Sequence, residues 1–394
     1  VIKLLRILDL KKYWKQRVIH INGLKAGGRL NIILIILVFG VIIFFHELGH
    51  FIVAKINHIS VIEFSMGLGP KLFSFTKKDT QYSLRLIPLG GYCMLLSEGE
   101  EGHEDDENAF EKKSIWVRMA EVLAGPFMNI VIAFIFSAVI IHFCGTDPAT
   151  IGRVYDSEMA KESEYADVVK EFNGVYPAEQ AGIEDGDTVL EIGGSKIKNF
   201  RELQIYLEIY GDGSPIDLKM QKKDGTVYDT TVYPVETSAG YKVGIVSCGY
   251  VLPQNFGELM KYSAYEVRYW VKATFLSLKL IVTRQVSSDE VSGPVGVAKS
   301  MNDTFNEAAK VDVLTVLLNW MNYIVLLSAN LGIMNMLPIP GLDGGRFLFL
   351  LIELITRRKV PKDKENIVTF VGFVLVMILM VVILFNDIKN VFFS

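Results

Sequence analysis

Apolar and polar positions in this chain fall into blocks. Leu30 to Ala54 is mostly apolar, with its only ionisable groups at His46, Glu47 and His50. Val122 to Thr146 has no formal charge beyond a titratable His142, and Val313 to Leu342 has none, although Asn319, Asn322, Asn330 and Asn335 interrupt it and Pro338 and Pro340 lie near its end. Ile367 to Phe385 is an apolar run without a charged residue. A bilayer core of about 30 Å needs roughly 20 mostly apolar residues in a helix. The pattern therefore predicts a polytopic α-helical membrane protein with four transmembrane helices, over 30–56, 117–146, 312–346 and 365–388. Burial in one large soluble core is the competing reading of a single run, and four runs in one chain argue against it.

Between the second and third runs the pattern changes to short alternating segments rich in Asp, Glu and Lys. Thr188 to Ile192 reads as a strand after a turn at Asp185, Gly186 and Asp187, and Asn199 to Tyr210 reads as a helix. Ile216 to Met220 and Val227 to Tyr233 form a predicted hairpin around Asp224 and Gly225. Residues 251–311 follow as an amphipathic region. Its 255–285 stretch, with Trp270, Phe275 and Leu276 among basic residues, is either a helix lying on the membrane or a solvent-facing helix packed on the insert. Between the first two spans, residues 57–116 alternate and turn like a β-sheet, with Tyr82 to Leu86 as one strand.

Composition sharpens this picture. Hydrophobic residues make up 51% of the 394 while charged residues reach only 21%, below the roughly 25% of soluble proteins. A net charge of −4 leaves no electrostatic footprint for nucleic acid. The three cysteines, Cys93, Cys144 and Cys248, support neither a disulfide framework nor a Cys-rich zinc module. A metal has to be held by His and carboxylates.

Such residues sit inside the first span. His46-Glu47-Leu48-Gly49-His50 is an H-E-x-x-H motif, in which positions i and i+4 place two imidazoles on one helix face for zinc, with Glu47 beside them as general base. Ionisable groups within a span are costly and read as functional by default. The bland alternative is a pair of histidines hydrogen-bonding between helices. Catalytic zinc takes three protein ligands and leaves a position for water, and Asp343 is the best candidate for the third. Pro338 and Pro340 end the third helix ahead of it, which predicts irregular backbone at Asp343. Counting crossings brings the loop after His50 and Asp343 to the same leaflet.

Two resemblances follow from these residues. Tyr176 to Asp187 (YPAEQAGIEDGD) resembles the Ser-Pro-Ala-x-x-Ala-Gly-Leu-x-x-Gly-Asp segment of a PDZ domain, which implies a soluble α+β peptide-binding module over 150–250; an unrelated small α+β domain is the alternative. The acidic stretch 156–171 is longer than that module usually carries and implies an altered peptide groove. More broadly, HELGH, Phe64 to Gly69 (FSMGLG), Ile87 to Tyr92 (IPLGGY), Ala124 to Asn129 (AGPFMN), Ser292 to Gly296 (SGPVG) and the Asn335 to Gly344 run with Pro338, Pro340 and Asp343 resemble the site-2 protease family of intramembrane zinc metalloproteases, of the bacterial regulator-of-sigma-E protease type.

That resemblance implies Zn2+ held by His46, His50 and Asp343, Glu47 as catalytic base, and Asn330 and Pro338 as substrate-binding residues. From spacing alone, Asn330 is equally an interhelical hydrogen-bonding residue. It further implies a membrane-associated β region within 57–116 that pairs with extended substrate. The expected function is hydrolysis within transmembrane segments of single-span proteins, such as anti-sigma factors and remnant signal peptides, after a first cut by a site-1 protease. The expected location is the bacterial inner membrane. Arg346, Arg357, Arg358, Lys359, Lys362 and Lys364 put the 344–366 loop and the active site toward the cytoplasm, and the PDZ insert on the other side. Residues 1–29 are a basic extension that most members of this family lack. Glu98 to Glu107, with His103, is either a solvated acidic loop or a second metal site. Two other function classes remain: a non-enzymatic membrane scaffold, for which Glu47 would be superfluous, and a zinc hydrolase of lipids, for which a peptide-reading insert would be.

Overall fold

The computed structural model describes residues 28–96, 106–157, 159, 170–210, 212–238, 240–283 and 293–392. Nearly all of the basic extension, most of the acidic run with His103, most of the 156–171 stretch and Ser292 lie outside the described residues. The described chain separates into two compact units, Ala138–Ala273 in one and Ile19–Ser137 with Thr274–Ser394 in the other.

The second unit is dominated by helices. Among the described residues four are long and apolar enough to cross a membrane: Arg29–Ile56 within α1 (Gly28–Ile56), α2 (Ile115–Cys144, whose last turns pass into the other unit), α7 (Val313–Asn335), and Asp363–Lys389 within α9 (Lys362–Phe392). The second span starts at Ile115, two residues ahead of the expected 117, and its first turns carry Arg118 and Glu121. Arg118 is neutralised by a bidentate pair with Glu353 at 2.6 and 3.1 Å, which makes its burial tolerable.

The third span departs further from expectation. Its helix stops at Asn335 instead of continuing to 346, because Pro338 and Pro340 supply no N–H to the ladder. Leu342 is extended, and a new helix, α8 (Asp343–Thr356), starts at Asp343. The aspartate therefore opens a helix, and the irregular backbone lies before it. Much of the basic 344–366 loop is helical as well, since Phe347, Leu350, Leu351 and Leu354 pack on Met119 and Val122 of α2.

Two long strands, β1 (Val61–Lys77) and β2 (Thr80–Leu95), fold on themselves. Val61 pairs with Leu95 and Phe64 with Cys93 in antiparallel register, as do Lys71 with Arg85 and Phe75 with Tyr82. Glu63 to Met66 also advance in step with Gln81 to Leu84, so this segment is paired on both sides and Gly91 to Leu95 forms an edge. The sheet is rooted on α1: the Phe51 ring lies 5.0 Å from that of Phe64 in a tilted pair, and Ala54, Ile59, Val61 and Leu95 are buried together.

The amphipathic 251–311 region divides between the units. α5 (Phe256–Val282) runs from the first unit into the second, and α6 (Pro294–Ala309) belongs wholly to the second. There Asn31 of α1 donates to Asn302 and Asn306 at 3.0 and 2.8 Å. The Asp387 carboxylate of α9 accepts from the Gly293, Val295 and Gly296 N–H groups, capping the start of α6.

The first unit is a small α+β body. β4 (Thr188–Ile192), β5 (Ser195–Lys196), β6 (Ile216–Gln221) and β7 (Val227–Val232) form an antiparallel sheet in the order β5-β4-β6-β7. β3 (Ile151–Val154) pairs with β10 (Ile245–Ser247), and β8 (Val235–Thr237) with β9 (Gly240–Lys242). Helices α3 (Pro177–Gln180) and α4 (Phe200–Tyr210) cover a core of Ile151, Ile192, Leu203, Met220 and Val232. The early part of α5 is locked onto it: the Arg201 guanidinium pairs with Glu266 and lies 4.6 Å from the Tyr269 ring centre, while Trp270 Nε1 donates to Glu266 at 2.9 Å. Of the two expected placements, this favours packing on the insert for that half of α5.

Candidate metal centre

A helix advances about 1.5 Å per residue, so His46 and His50 lie about 15 and 9 Å before the end of α1. They project toward α2 and the start of α8. The helix backbones are unusually close there: a Cβ on Gly49 would lie 2.3 Å from the Ala124 carbonyl oxygen. Small residues at helix crossings permit such approach, and it brings the face of α2 directly onto the two imidazoles.

Three side-chain atoms converge. Asp343 Oδ2 stands 3.2 Å from His46 Nε2 and 3.7 Å from His50 Nε2. The group His46, His50 and Asp343 offers one ligand atom each, all within 4.8 Å of one another. Ligands bound at about 2.0–2.1 Å around tetrahedral zinc are about 3.4 Å apart, so these separations fit one shared cation. Asp343 Oδ2 is buried and accepts a well-formed hydrogen bond from neither ring. A carboxylate oxygen facing two imidazole nitrogens without such a bond suits a cation held among all three. The residues present fit zinc. Asp343 also opens α8, where the helix dipole favours negative charge.

Glu47 is the next residue round α1 and faces the sheet. A Cβ on Gly91 would lie 3.3 Å from its Cγ, and the Cys93 backbone hydrogen-bonds its carboxylate. The carboxylate thus sits between the imidazole pair and the edge segment of β2. Asn330 is engaged elsewhere: its Oδ1 accepts from the Thr274 hydroxyl. Pro338 is exposed on the Met336 to Leu342 connection that leads to Asp343.

Two residues that sequence reasoning passed over touch the rings. His50 Nδ1 lies 2.9 Å from the Glu121 carbonyl oxygen and 3.2 Å from its Oε1, and Asn129 Nδ2 lies 3.1 Å from His46 Nδ1. The available signal was a polar residue recurring at helical spacing in an otherwise apolar run. Glu121 fell just outside that run as the residue pattern delimited it.

Comparison with known proteins places these features in context. The model of peptidase family M50 matches residues 34–379. A protein of Clostridium acetobutylicum named as a zinc metalloprotease is 35% identical over 361 residues, covering 91% of this chain and 97% of that protein. The zinc metalloprotease RasP of Geobacillus kaustophilus is 28% identical over 442 residues, covering 92% of this chain and 98% of the relative. The regulator of sigma-W protease RasP of Bacillus subtilis is 28% identical over 445 residues, covering 92% and 99%.

Proposed function

The chain belongs to peptidase family M50 and is a zinc metalloprotease, and on that premise we propose that it hydrolyses peptide bonds within or close to the membrane-spanning segments of single-span proteins. The observation that carries this reading is the convergence of His46, His50 and Asp343 beside Glu47, in helices long and apolar enough to span a membrane. His46, His50 and Asp343 would hold the metal. Zinc held there would supply Lewis acidity, lowering the pKa of a water toward ~7 and polarising a scissile carbonyl. Glu47 takes the proton of the attacking water on a carboxylate oxygen and delivers it to the departing amide nitrogen. The Cys93 contact keeps that carboxylate turned toward the sheet edge.

A helical substrate has its carbonyls in i−4 hydrogen bonds, so it has to unwind before attack. Gly91 to Leu95 pairs only with the start of β1 among the described residues. A substrate strand added to that edge would satisfy its freed backbone groups and run beside Glu47. Asn330 and Pro338 are assigned to holding the same unwound segment, the Asn330 amide exchanging its Thr274 bond for substrate backbone.

The substrate class is membrane-anchored anti-sigma factors, a reading supported by the regulator of sigma-W protease among the relatives, together with remnant signal peptides. Residues 150–250 act as a PDZ gate that restrains intact ectodomains, so that cleavage follows a site-1 cut. The gate faces the extracytoplasmic side of the bacterial inner membrane, and the metal centre and the basic residues around α8 face the cytoplasm. Purified protein is expected to hold about one zinc per chain, as a single three-ligand site requires. Glu47→Gln should keep that zinc and lose cleavage of a transmembrane reporter. A Gln variant as active as the parent would refute the mechanism.

A further inference from the structure

Glu121, Gly125 and Asn129 recur every four residues on α2 and so share one face of the helix. This face meets His46 and His50, which have the same spacing on α1. The two rows match end to end. Asn129, fully buried, contacts His46, and Glu121, almost fully buried, contacts His50. Both contacts are made at Nδ1, on the far side of each ring from Asp343. Between them, a Cβ on Gly125 would lie 2.2 Å from His50 Nε2 and 2.8 Å from His46 Nε2. A zinc–nitrogen bond spans about 2.0–2.1 Å, so a methyl at Gly125 would intrude on the space that a cation shared by the two nitrogens has to fill.

We propose that this face of α2 positions the metal centre: Asn129 and Glu121 hold the Nδ1 protons of His46 and His50 so that both rings present Nε2 to the cation, and Gly125 leaves the volume the cation fills. The proposal rests on the zinc reading above and extends it to residues that supply no ligand atom. An imidazole that gives its Nε2 lone pair to a metal carries its proton on Nδ1, and that proton needs an acceptor. His50 has two, the Glu121 carbonyl and carboxylate. His46 has Asn129 alone among the described residues. Half a turn of the amide presents Oδ1 to the Nδ1 proton without changing the shape of the side chain. Oδ1 has no hydrogen-bond partner in its present place among the described residues, so the turn breaks only the contact it replaces. Because His50 retains a backbone acceptor when the Glu121 side chain is lost, Asn129 matters more than Glu121.

The test uses full-length protein in detergent, with zinc affinity read by competition with a chelator and ring geometry by the visible spectrum of the Co2+-substituted protein. Asn129→Leu should weaken zinc by about 10- to 100-fold, and Glu121→Leu by less. Gly125→Ala should lose zinc while keeping its helical circular dichroism. Asn129→Asp has the same shape and only acceptor oxygens, so it should hold zinc at least as tightly as the parent and preserve the Co2+ spectrum. An amide that served packing alone would suffer more from a buried charge than from Leu. The proposal is overturned by Asn129→Leu binding zinc within twofold of the parent, or by Asn129→Asp binding more weakly than Asn129→Leu. If the Leu variant does not fold, a loss of affinity in the Asp variant relative to the parent overturns it. A parent that binds no zinc would sink the metalloprotease reading itself, whereas a zinc-binding parent with indifferent variants would sink only this one.

Discussion

Gly49 occupies a position that the H-E-x-x-H pattern leaves free, yet the helix crossing makes it restrictive in this protein. A Cβ there would stand 2.3 Å from the Ala124 carbonyl oxygen and 2.9 Å from Met128 Cβ, against 3.4 Å for ordinary contact. The nearest obstacle is backbone, so it cannot swing aside. Gly49→Ala therefore requires α1 and α2 to part by about 1 Å, and overpacking of this kind costs about 1–3 kcal/mol. The displacement falls next to His50, whose ring is held against α2 by the Glu121 contacts. A misplacement of about 1 Å at a reacting centre can cost about 100-fold in rate. The expected result is a folded protein with a lowered melting temperature and cleavage of a transmembrane reporter reduced about 100-fold. Leu48→Ala, at the other free position of the motif and only half-buried, is the control and should retain most activity. Cleavage by Gly49→Ala within twofold of the parent would refute the argument that this crossing sets the site.

Other expectations concern the supports around the site and the first unit. Arg201→Met leaves Glu266 buried without its counter-charge and should destabilise the first unit by about 3–5 kcal/mol, read by urea unfolding. Burial pushes the Asp147 carboxyl from 3.8 up to about 6, against the opposing pull of its Ser247 bond and of Arg201. The folded state therefore binds this proton more tightly than the unfolded chain does, and stability falls as pH rises from about 4 to about 6, by about 3 kcal/mol in total. Asp147→Asn should flatten that window, which unfolding curves at a series of pH values would reveal. Asp387→Ala removes the acceptor for three N–H groups at the start of α6 and should lower stability by about 1–2 kcal/mol, seen as a reduced melting temperature.

The four spanning helices were legible because each is a long apolar run, a signal that depends on no partner. Their ends were not, for reasons visible in particular residues. Arg118 and Glu121 precede the charge-free run that marks the second span, and their burial in its helix is tolerated because Glu353 and His50 answer them from distant parts of the chain. Arg357, Arg358 and Lys359 mark 344–366 as a basic loop, and the apolar residues just before them fold as α8 only because α2 offers Met119 and Val122. The pairing of Glu63 to Met66 on both sides was hidden, since strand register depends on residues some twenty positions away. At the site, the residues named from motif spacing include the three that converge, because ligand chemistry restricts residue type. Asn129 and Glu121 were overlooked because their one signal, a polar residue at helical spacing in an apolar helix, does not say which neighbour it meets. Only the opposing histidines give them meaning.

The separation of the converging residues along the chain bears on how the protein is made. His46 and His50 belong to α1, while Asp343 opens α8 nearly three hundred residues later. At a synthesis rate of about 5–20 residues per second, the histidine pair exists for about 15–60 s before its carboxylate partner has been translated. Throughout that interval the nascent chain carries the whole H-E-x-x-H motif but only two of the three converging side chains. The centre closes last, after the second and third spans have been synthesised and α8 has docked on α2. A ribosome that stalls before Asp343 would thus leave a product bearing the motif without the third converging side chain, and the order of synthesis lets the three side chains meet only in chains that already carry α8.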